Sequence, residues 1–558
     1  MSPVRPLAVV VLAAGEGTRM RSQTPKVLHE IGGRSLLGHA LAAAAALEPD
    51  HLVAVVRHRR DLVAPHAEQV ATELGTRLVV ADQDDVKGTG RAVGCGLAGL
   101  LATAGVDAGE HPGRTVVVTY GDVPLLAPDT LRELVELREA EQAAAVVLTA
   151  VVPDPSGYGR ILRDDAGDVL GIVEHKDADA AQRALTEINS GIYAFDAAVL
   201  ASALGRLSTD NAQGEQYLTD VLGIARADGG RVRALVTGDL WQVEGVNDKA
   251  QLAALGAELN RRVLRAWMLA GVTVVDPSTT WVDVQVSLEP DATLLPGVQL
   301  HGTTTVATGA TVGPDTTLRD TQVGAGADVV RSHALGAVIG ERATVGPFAY
   351  LRPGTRLGVK GKIGGFVETK NAVIGDGSKV PHLSYVGDAE IGAGSNVGAA
   401  SVFVNYDGVA KHRITVGDQV RIGSDTMLVA PVSIGDGAYT AAGSVITDDV
   451  PPGALGVGRA RQRVVEGWTL RRRPDTPAAL AAQAALAAVA GHESGTAGQG
   501  GDAQGADGVH EGSGASAPGA TGAGAPGGQA ATDSVADPSS LGPSSPQRAA
   551  AGEGAPTA

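Results

Sequence analysis

Short apolar runs alternate with helix-length runs over roughly the first 250 residues: LAVVVLAAG, then SLLGHALAAAAAL, HLVAVV, RTVVVTYGDVPLL and DTLRELVELREAE. Strands that are apolar on both faces, each followed by a helical run, predict a mostly parallel sheet covered on both sides. Ligands of such sheets gather at the carboxyl ends of the strands, and VLAAGEGTRMRSQTPKVL (11–28) lies at one of those ends. Residues 248–271 read as one amphipathic helix connecting two domains. From Val272 the helical period gives way to a period of six. Ile339, Val345, Leu351, Leu357 and Ile363 follow it, as do Val416, Ile422, Leu428, Ile434, Thr440 and Ile446, often with a glycine next. Hexads of this kind predict a parallel β-helix, each supplying a short strand with an inward aliphatic residue and a tight corner. The period is interrupted at 404–413 (VNYDGVAKHR), read as an inserted loop, and is expected to lapse between Ile374 and Ile391, around His382.

After Arg473 the chain becomes rich in Gly, Ala, Ser and Pro. ALAAQAALAAVA has a helical composition. The remainder cannot bury enough apolar surface to offset its ordering entropy and is expected to be disordered. The expected division is therefore 1–247, an α/β domain; 248–271, a linker helix; 272–473, a β-helix; and 474–558, a tail.

Composition narrows the function. A formal net charge of −17 counts against a broad phosphate-neutralising surface, so no nucleic-acid partner is expected. One cysteine, Cys95, excludes an intrachain disulfide and fits a reducing cytoplasm. No run approaches the ~20 apolar residues of a membrane span. Aromatic residues make up only 3% of the chain, which the narrow aliphatic interior of a β-helix accommodates.

The opening loop is neither a P-loop nor a dinucleotide fingerprint, since Met20 stands where a glycine would be required. It shares their logic. Small residues after a strand let backbone N–H groups approach an anion, and Arg19 and Lys26 add charge. A plain Gly-rich turn with two solvated cations is the other reading. Asp122, directly after an apolar strand, suits a hard cation such as Mg²⁺, or caps the segment beginning near Pro128. Gln83 with Gly88 and Thr89 suits a base edge, or is an ordinary loop. Polar islands at other strand ends (SGYGRI, VEHKD, EINSGIYAF, VEGVN) together suggest a nucleotide-sugar site. In the β-helix, His382 is surrounded in sequence by Arg352, Lys370, Tyr385 and Asn396. An imidazole ordinarily titrates near neutral pH, which suits a base that deprotonates an attacking ammonium.

LAAGEGTRM with Pro25-Lys26, YGDVPL, GYGRI, VEHKD, EINSGIY, NAQGEQYLTD and VEGVN, followed by hexapeptide repeats, closely resembles the bifunctional bacterial enzyme of UDP-N-acetylglucosamine synthesis. That family joins an N-acetylglucosamine-1-phosphate uridyltransferase to a glucosamine-1-phosphate acetyltransferase. The likeness covers about residues 5–470. It implies a Rossmann-like nucleotidyltransferase domain followed by a left-handed parallel β-helix, and a cytoplasmic homotrimer. For the first domain it implies that Leu12, Ala13, Ala14, Gly15 and Lys26 hold the nucleotide and that Arg19 stabilises the reacting phosphates. Gln83, Gly88 and Thr89 would read uracil; Tyr120, Gly121 and Asp122 would line the site; Asp122 with Asn247 would bind Mg²⁺; Gly159, Glu174 and Asn189 would hold the sugar. For the β-helix it implies His382 as general base and Arg352, Lys370, Tyr385 and Asn396 around glucosamine-1-phosphate. Ala399, Asn405, Tyr406, Ser424, Ala442 and Arg459 would lie along acetyl-CoA. The co-substrates would be UTP and acetyl-CoA. Two departures stand out: Val86-Lys87 before Gly88, and Ala400, where many relatives have glycine.

Two other readings compete. One is a sugar-nucleotide pyrophosphorylase whose β-helix only regulates or oligomerises. The other is a trimeric scaffold with a decayed site, against which the joint presence of Arg19, Lys26, Asp122 and Asn247 argues.

Overall fold

The computed structural model describes residues 5–165 and 167–495. The first domain is built on a sheet ordered Val232–Thr237, Ala145–Val151, Glu187–Asp196, Thr115–Tyr120, Ala8–Ala13, His51–Val56 and Leu78–Asp82. All neighbours pair in parallel except Glu187–Asp196, which runs against both of its partners. A hairpin, Arg160–Arg163 with Val169–Val173, attaches to that reversed strand through Ile188 and Arg160. The first strand is buried throughout, and its alternate side chains enter two cores. Val9, Val11 and Ala13 pack with Leu37, Leu41, Leu131 and Leu134 on one face. Ala8, Val10 and Leu12 pack with Val93, Leu97 and Leu100 on the other. This is the both-sides burial that the continuous apolar strands require.

The helix Lys249–Leu269 starts at Asp248, whose side chain accepts from Gln251 N at 2.8 Å, an N-cap that satisfies an orphan donor. It leads into short parallel strands running from Thr273–Val274 to Leu455–Gly456. Gln299 stands beside Thr317 and Tyr350 beside Glu368, three hexads on. The predicted aliphatic series is the interior: Ile339, Val345, Leu351, Leu357, Ile363, Val416, Ile422, Leu428 and Ile434 are all buried in one continuous core. Buried hydroxyls share that interior and bond to corner carbonyls, as Thr355 Oγ1 does to Arg352 O (2.8 Å) and Ser395 Oγ to Gly417 O (2.7 Å), so their burial leaves nothing unpaired.

The structure corrects the expected lapse around His382. Val380 and Val386 keep inward positions between Ile374 and Ile391, and a single residue is dropped before Ile391. His382 lies outside this series, at the end of the strand Lys379–His382, and is exposed. The insertion at 404–413 is taken up by the long step from Val402 to its neighbour Met427.

Among the described residues, 462–495 form a second compact unit. It carries the helices Trp468–Arg472 and Pro477–Gly495. The second contains ALAAQAALAAVA, the stretch read as helical from its composition, whose alanine and leucine residues are strong helix formers; the disorder expected of the 474–558 tail therefore does not begin at 474. Residues 496–558 of the expected tail lie outside the described residues.

Candidate functional site

The opening loop is held from below. Met20 is buried with Ile31, Leu36, Leu125, Val246 and Leu255, which fixes the single turn Thr18–Met20. Gly17 has φ +62°, and a Cβ there would overlap Lys26 Cβ, so a glycine lets Lys26 come in against the loop. Lys26 Nζ donates to Asp122 Oδ2. Arg19 Nη2 donates to Asn247 Oδ1 at 2.7 Å. Val246 N donates to the Asp122 carbonyl at 3.0 Å, which ties the two acceptors to one place. Four residues from three distant segments thus form one charged group at the carboxyl ends of the parallel strands.

Beside it lies a cavity of about 450 Å³ lined by Leu12, Ala13, Ala14, Gly15 and Lys26, and across from them by Gln83, Gly88, Thr89, Tyr120 and Asp122. Gln83 Nε2 donates to the carbonyls of Val86 and Gly88 (3.1 and 3.3 Å), which fixes its amide and leaves Oε1 as its acceptor. Gly88 has φ +118°, and a Cβ would overlap the backbone of Gln216. Only glycine allows that approach, and it sets the start of the helix Thr89–Ala104, whose N-terminal dipole end favours anions. Gly121 N donates to Leu12 O at 2.9 Å, closing the floor between the two central strands. Glu16, Arg57, Lys87 and Glu215 also line the cavity. Sequence reasoning did not give them roles; Arg57 follows the strand His51–Val56, so the strand-end rule already pointed to it.

Gly159, Glu174 and Asn189 do not line this cavity and form a neighbouring group. A Cβ on Gly159 would stand 3.5 Å from both Asn189 Cβ and Glu174 Oε1. Asn189 Oδ1 accepts from Tyr193 OH (3.0 Å) and Gly191 N (2.9 Å), which orients the amide with Nδ2 as its remaining donor. Burial pushes the Glu174 carboxyl above its usual range, with Asp177 and Asp220 adding to the effect and Thr219 opposing it. The Tyr120 phenol connects the two groups: burial raises it, and Asp122 and Glu174 both add to that.

Along the β-helix, the strand register sets Glu368 beside Tyr385 and Lys370 beside Gly387. Arg352 Nη1 donates to Glu368 Oε1 at 2.9 Å. The Lys370 ammonium is pushed down by Lys411, which approaches it from the inserted loop, and secondarily by burial and Arg352. Three cations thus converge on one exposed surface, and Lys411 is a member that the hexad pattern did not indicate. Asn405 Nδ2 donates to Asp388 Oδ2 (2.5 Å) and lies 3.5 Å from Tyr385 OH. His382 makes no side-chain hydrogen bond among the described residues; its carbonyl accepts from Ser384 Oγ (2.8 Å) and Ala400 N (3.2 Å). Asn396 stands on another face, between Lys379 and Arg421, and does not join the Arg352–Lys370 cluster.

Ala399, Ser424 and Ala442 occupy successive corners of one edge. Asp425 N donates to Ala399 O (2.7 Å) and Gly443 N to Ser424 O (2.9 Å), and the Arg459 side chain passes over Gly443. Tyr406 lies in the inserted loop, its hydroxyl on Gly408 O at 2.6 Å. Ala400, at this edge, has φ +59°, a conformation that glycine adopts without strain.

A loop with two cations and a carboxylate at the mouth of a parallel sheet, joined to a hexapeptide β-helix with its own cationic surface, defines a nucleotidyltransferase fused to a transferase of the hexapeptide class. Comparison with known proteins gives the same pair. Residues 9–187 match the MobA-like NTP transferase domain and 413–448 the bacterial transferase hexapeptide (six repeats). The "Bifunctional protein GlmU" of Kineococcus radiotolerans is 63% identical over 483 residues, spanning 87% of this chain and 96% of that protein. The proteins of the same name from Pseudarthrobacter chlorophenolicus and Streptomyces coelicolor are 61% and 59% identical, over 86% and 87% of this chain and 96% and 98% of theirs. The chain belongs to the GlmU family, bifunctional enzymes that carry uridyltransferase and acetyltransferase activities.

Proposed function

We propose that the β-helix acetylates glucosamine-1-phosphate from acetyl-CoA, and that the first domain then joins the product, N-acetylglucosamine-1-phosphate, to the uridylyl group of UTP. The observation that carries the first-domain reading is the Lys26–Asp122 and Arg19–Asn247 group beside the cavity. The sugar-phosphate oxygen attacks the α-phosphorus of UTP, a P–O bond forms, and the bond to pyrophosphate breaks. Lys26 and Arg19 neutralise charge on the phosphates, Gln83, Gly88 and Thr89 hold uracil, and Gly159, Glu174 and Asn189 hold the sugar. No protein nucleophile is needed, because alignment and charge neutralisation supply the acceleration.

The oxygens of Asp122 and Asn247 fit Mg²⁺. They are hard donors brought together by the Val246–Asp122 bond, and no cluster of three acidic, His or Cys residues competes for it among the described residues. Two protein oxygens suit an ion that keeps phosphates and water as its other ligands. When bound, Mg²⁺ supplies Lewis-acid neutralisation of phosphate oxygens.

In the β-helix, His382 takes a proton from the substrate ammonium. The freed amine attacks the thioester carbonyl, the C–N bond forms, the C–S bond breaks, and CoA leaves as its thiol after taking up a proton. Arg352, Lys370 and Lys411 meet the sugar phosphate, with Tyr385 on the sugar; Asn396, which stands on another face of the same subunit, reaches the sugar only from a neighbouring subunit of the trimer. Ala399, Asn405, Tyr406, Ser424, Ala442 and Arg459 lie along acetyl-CoA. A homotrimer is supported by Phe348, Phe366 and Leu383, which are 52%, 64% and 60% exposed near one edge, the two phenyl rings stacked at 5.3 Å; such apolar surface calls for a partner. No helix among the described residues is long and apolar enough to cross a membrane, and this reading places the enzyme in the cytoplasm with UTP and acetyl-CoA. The test is a split assay with glucosamine-1-phosphate, UTP and Mg²⁺. UDP-N-acetylglucosamine, free CoA and pyrophosphate should appear only when acetyl-CoA is added. If no CoA is released while supplied N-acetylglucosamine-1-phosphate is still uridylylated, the β-helix is not an acetyltransferase.

A further inference from the structure

Arg160 is the largest of the fully buried side chains, 1% exposed, and forms no ion pair with a carboxylate among the described residues. Its Nη1 donates to the Tyr158 carbonyl, Nη2 donates to the Arg183 carbonyl at 3.4 Å and lies 3.4 Å from His175 Nδ1, and Nε has no partner among the described residues. The nearby Asp154 carboxyl is held down mainly by Ser156, with Arg160 and His175 adding to it, but no carboxylate among the described residues bonds the guanidinium, and burying it without a direct ion pair is costly, so what it organises matters.

Its neighbours are specific. Arg160 directly follows Gly159, and its imidazole partner His175 directly follows Glu174. It pairs across the sheet with Ile188, which precedes Asn189, and Asn189 N donates to Gly159 O at 2.9 Å. Each of the three residues read as holding the sugar is therefore one residue away from Arg160 or from a group that Arg160 contacts. Through Tyr158 O and Arg183 O it also fixes both connecting segments, one on each side of the hairpin. A planar fork with five donors reaches these groups at once, which a lysine cannot do.

We infer that Arg160 is a positioning residue for the sugar-phosphate acceptor: it sets Gly159, Glu174 and Asn189 at their mutual spacing without touching substrate. This rests on the sugar-site reading proposed above. The test is steady-state kinetics of pyrophosphate release in Arg160→Met, Arg160→Lys, His175→Ala and Asn189→Ala. N-acetylglucosamine-1-phosphate is varied at saturating UTP, then UTP at saturating sugar phosphate, and acetyl transfer is measured on the same samples. Arg160→Met should raise KM for the sugar phosphate about 10-fold, the scale of a sub-ångström misplacement, with KM for UTP within about two-fold of wild type and acetyl transfer intact. Arg160→Lys should fall between, and His175→Ala should move KM for the sugar phosphate in the same direction. If Arg160→Met does not fold, the lysine and His175 variants carry the same comparison. If Asn189→Ala raises KM for the sugar phosphate while the Arg160 and His175 variants leave it unchanged, the inference is overturned and the sugar site stands. If Asn189→Ala has no effect either, the sugar-site reading falls and takes the inference with it. Parallel rises in both KM values, in protein that still transfers acetyl, mean general loosening and also overturn the inference.

Discussion

His39 makes the first domain sensitive to acid in a way that can be worked out. Its ring is 7% exposed, on the helix Leu36–Ala45, with Nε2 2.9 Å from the Ile31 carbonyl. Burial pulls its pKa from 6.5 to about 4. As pH falls through 6.5 the unfolded chain takes up a proton at this position, while the folded chain does not until about pH 4. The stability that a neutral His39 contributes is therefore complete above pH 6.5 and is lost between there and pH 4. Against neutral pH, a shift of this size amounts to about 2 kcal/mol of lost stability at pH 5. The consequence reaches the site, because Ile31 belongs to the hairpin that follows Lys26 and whose Gly32 carbonyl accepts from Val284 N at 2.9 Å. The assay is urea unfolding of the full chain at pH 7.5 and pH 5, following the transition that abolishes uridylyl transfer, for wild type and His39→Met. The variant starts lower, because it loses the His39–Ile31 hydrogen bond, but its stability should fall less between the two pH values, by about 2 kcal/mol. Equal falls in the two proteins would refute the argument.

Three further outcomes are expected. Ala400→Gly should raise the stability of the β-helix by about 1 kcal/mol, since φ +59° strains alanine and not glycine; a lower unfolding midpoint would contradict this. Leu351→Ala, at a fully buried interior position, should cost about 2–5 kcal/mol in denaturant titration and leave uridylyl transfer at native pH intact. Lys411→Met should raise KM for glucosamine-1-phosphate in acetyl transfer without changing KM for UTP, and an unchanged sugar KM would remove Lys411 from the site.

The period of six was legible because each hexad turns one aliphatic residue inward, three to a coil, so the same side-chain constraint recurs in sequence. The doubly covered sheet was legible for a similar reason: strands such as Ala8–Ala13 are apolar at every position. What the pattern hid were relations across segments. His382 looked like an interruption because one residue is dropped before Ile391, a shift that only the register of Val380 and Val386 reveals. Lys411 sits in the insertion, where no period holds, and its approach to Lys370 depends on how that loop folds back. Glu215 reaches the cavity from a segment far from the strand ends that line it, a relation that the strand-end rule does not give, whereas it does give Arg57. The helix Pro477–Gly495 was legible in ALAAQAALAAVA, whose alanine and leucine residues favour a helix locally.

The central claim is that two separate sites act in sequence on one chain. The most direct measurement takes Asp122→Ala and His382→Ala, each verified as folded, and follows CoA release and pyrophosphate release independently. Asp122→Ala should abolish pyrophosphate release at saturating UTP and Mg²⁺ and leave CoA release at the wild-type rate. His382→Ala should abolish CoA release and leave uridylylation of supplied N-acetylglucosamine-1-phosphate unchanged. Equal loss of both activities in either folded variant would contradict the account.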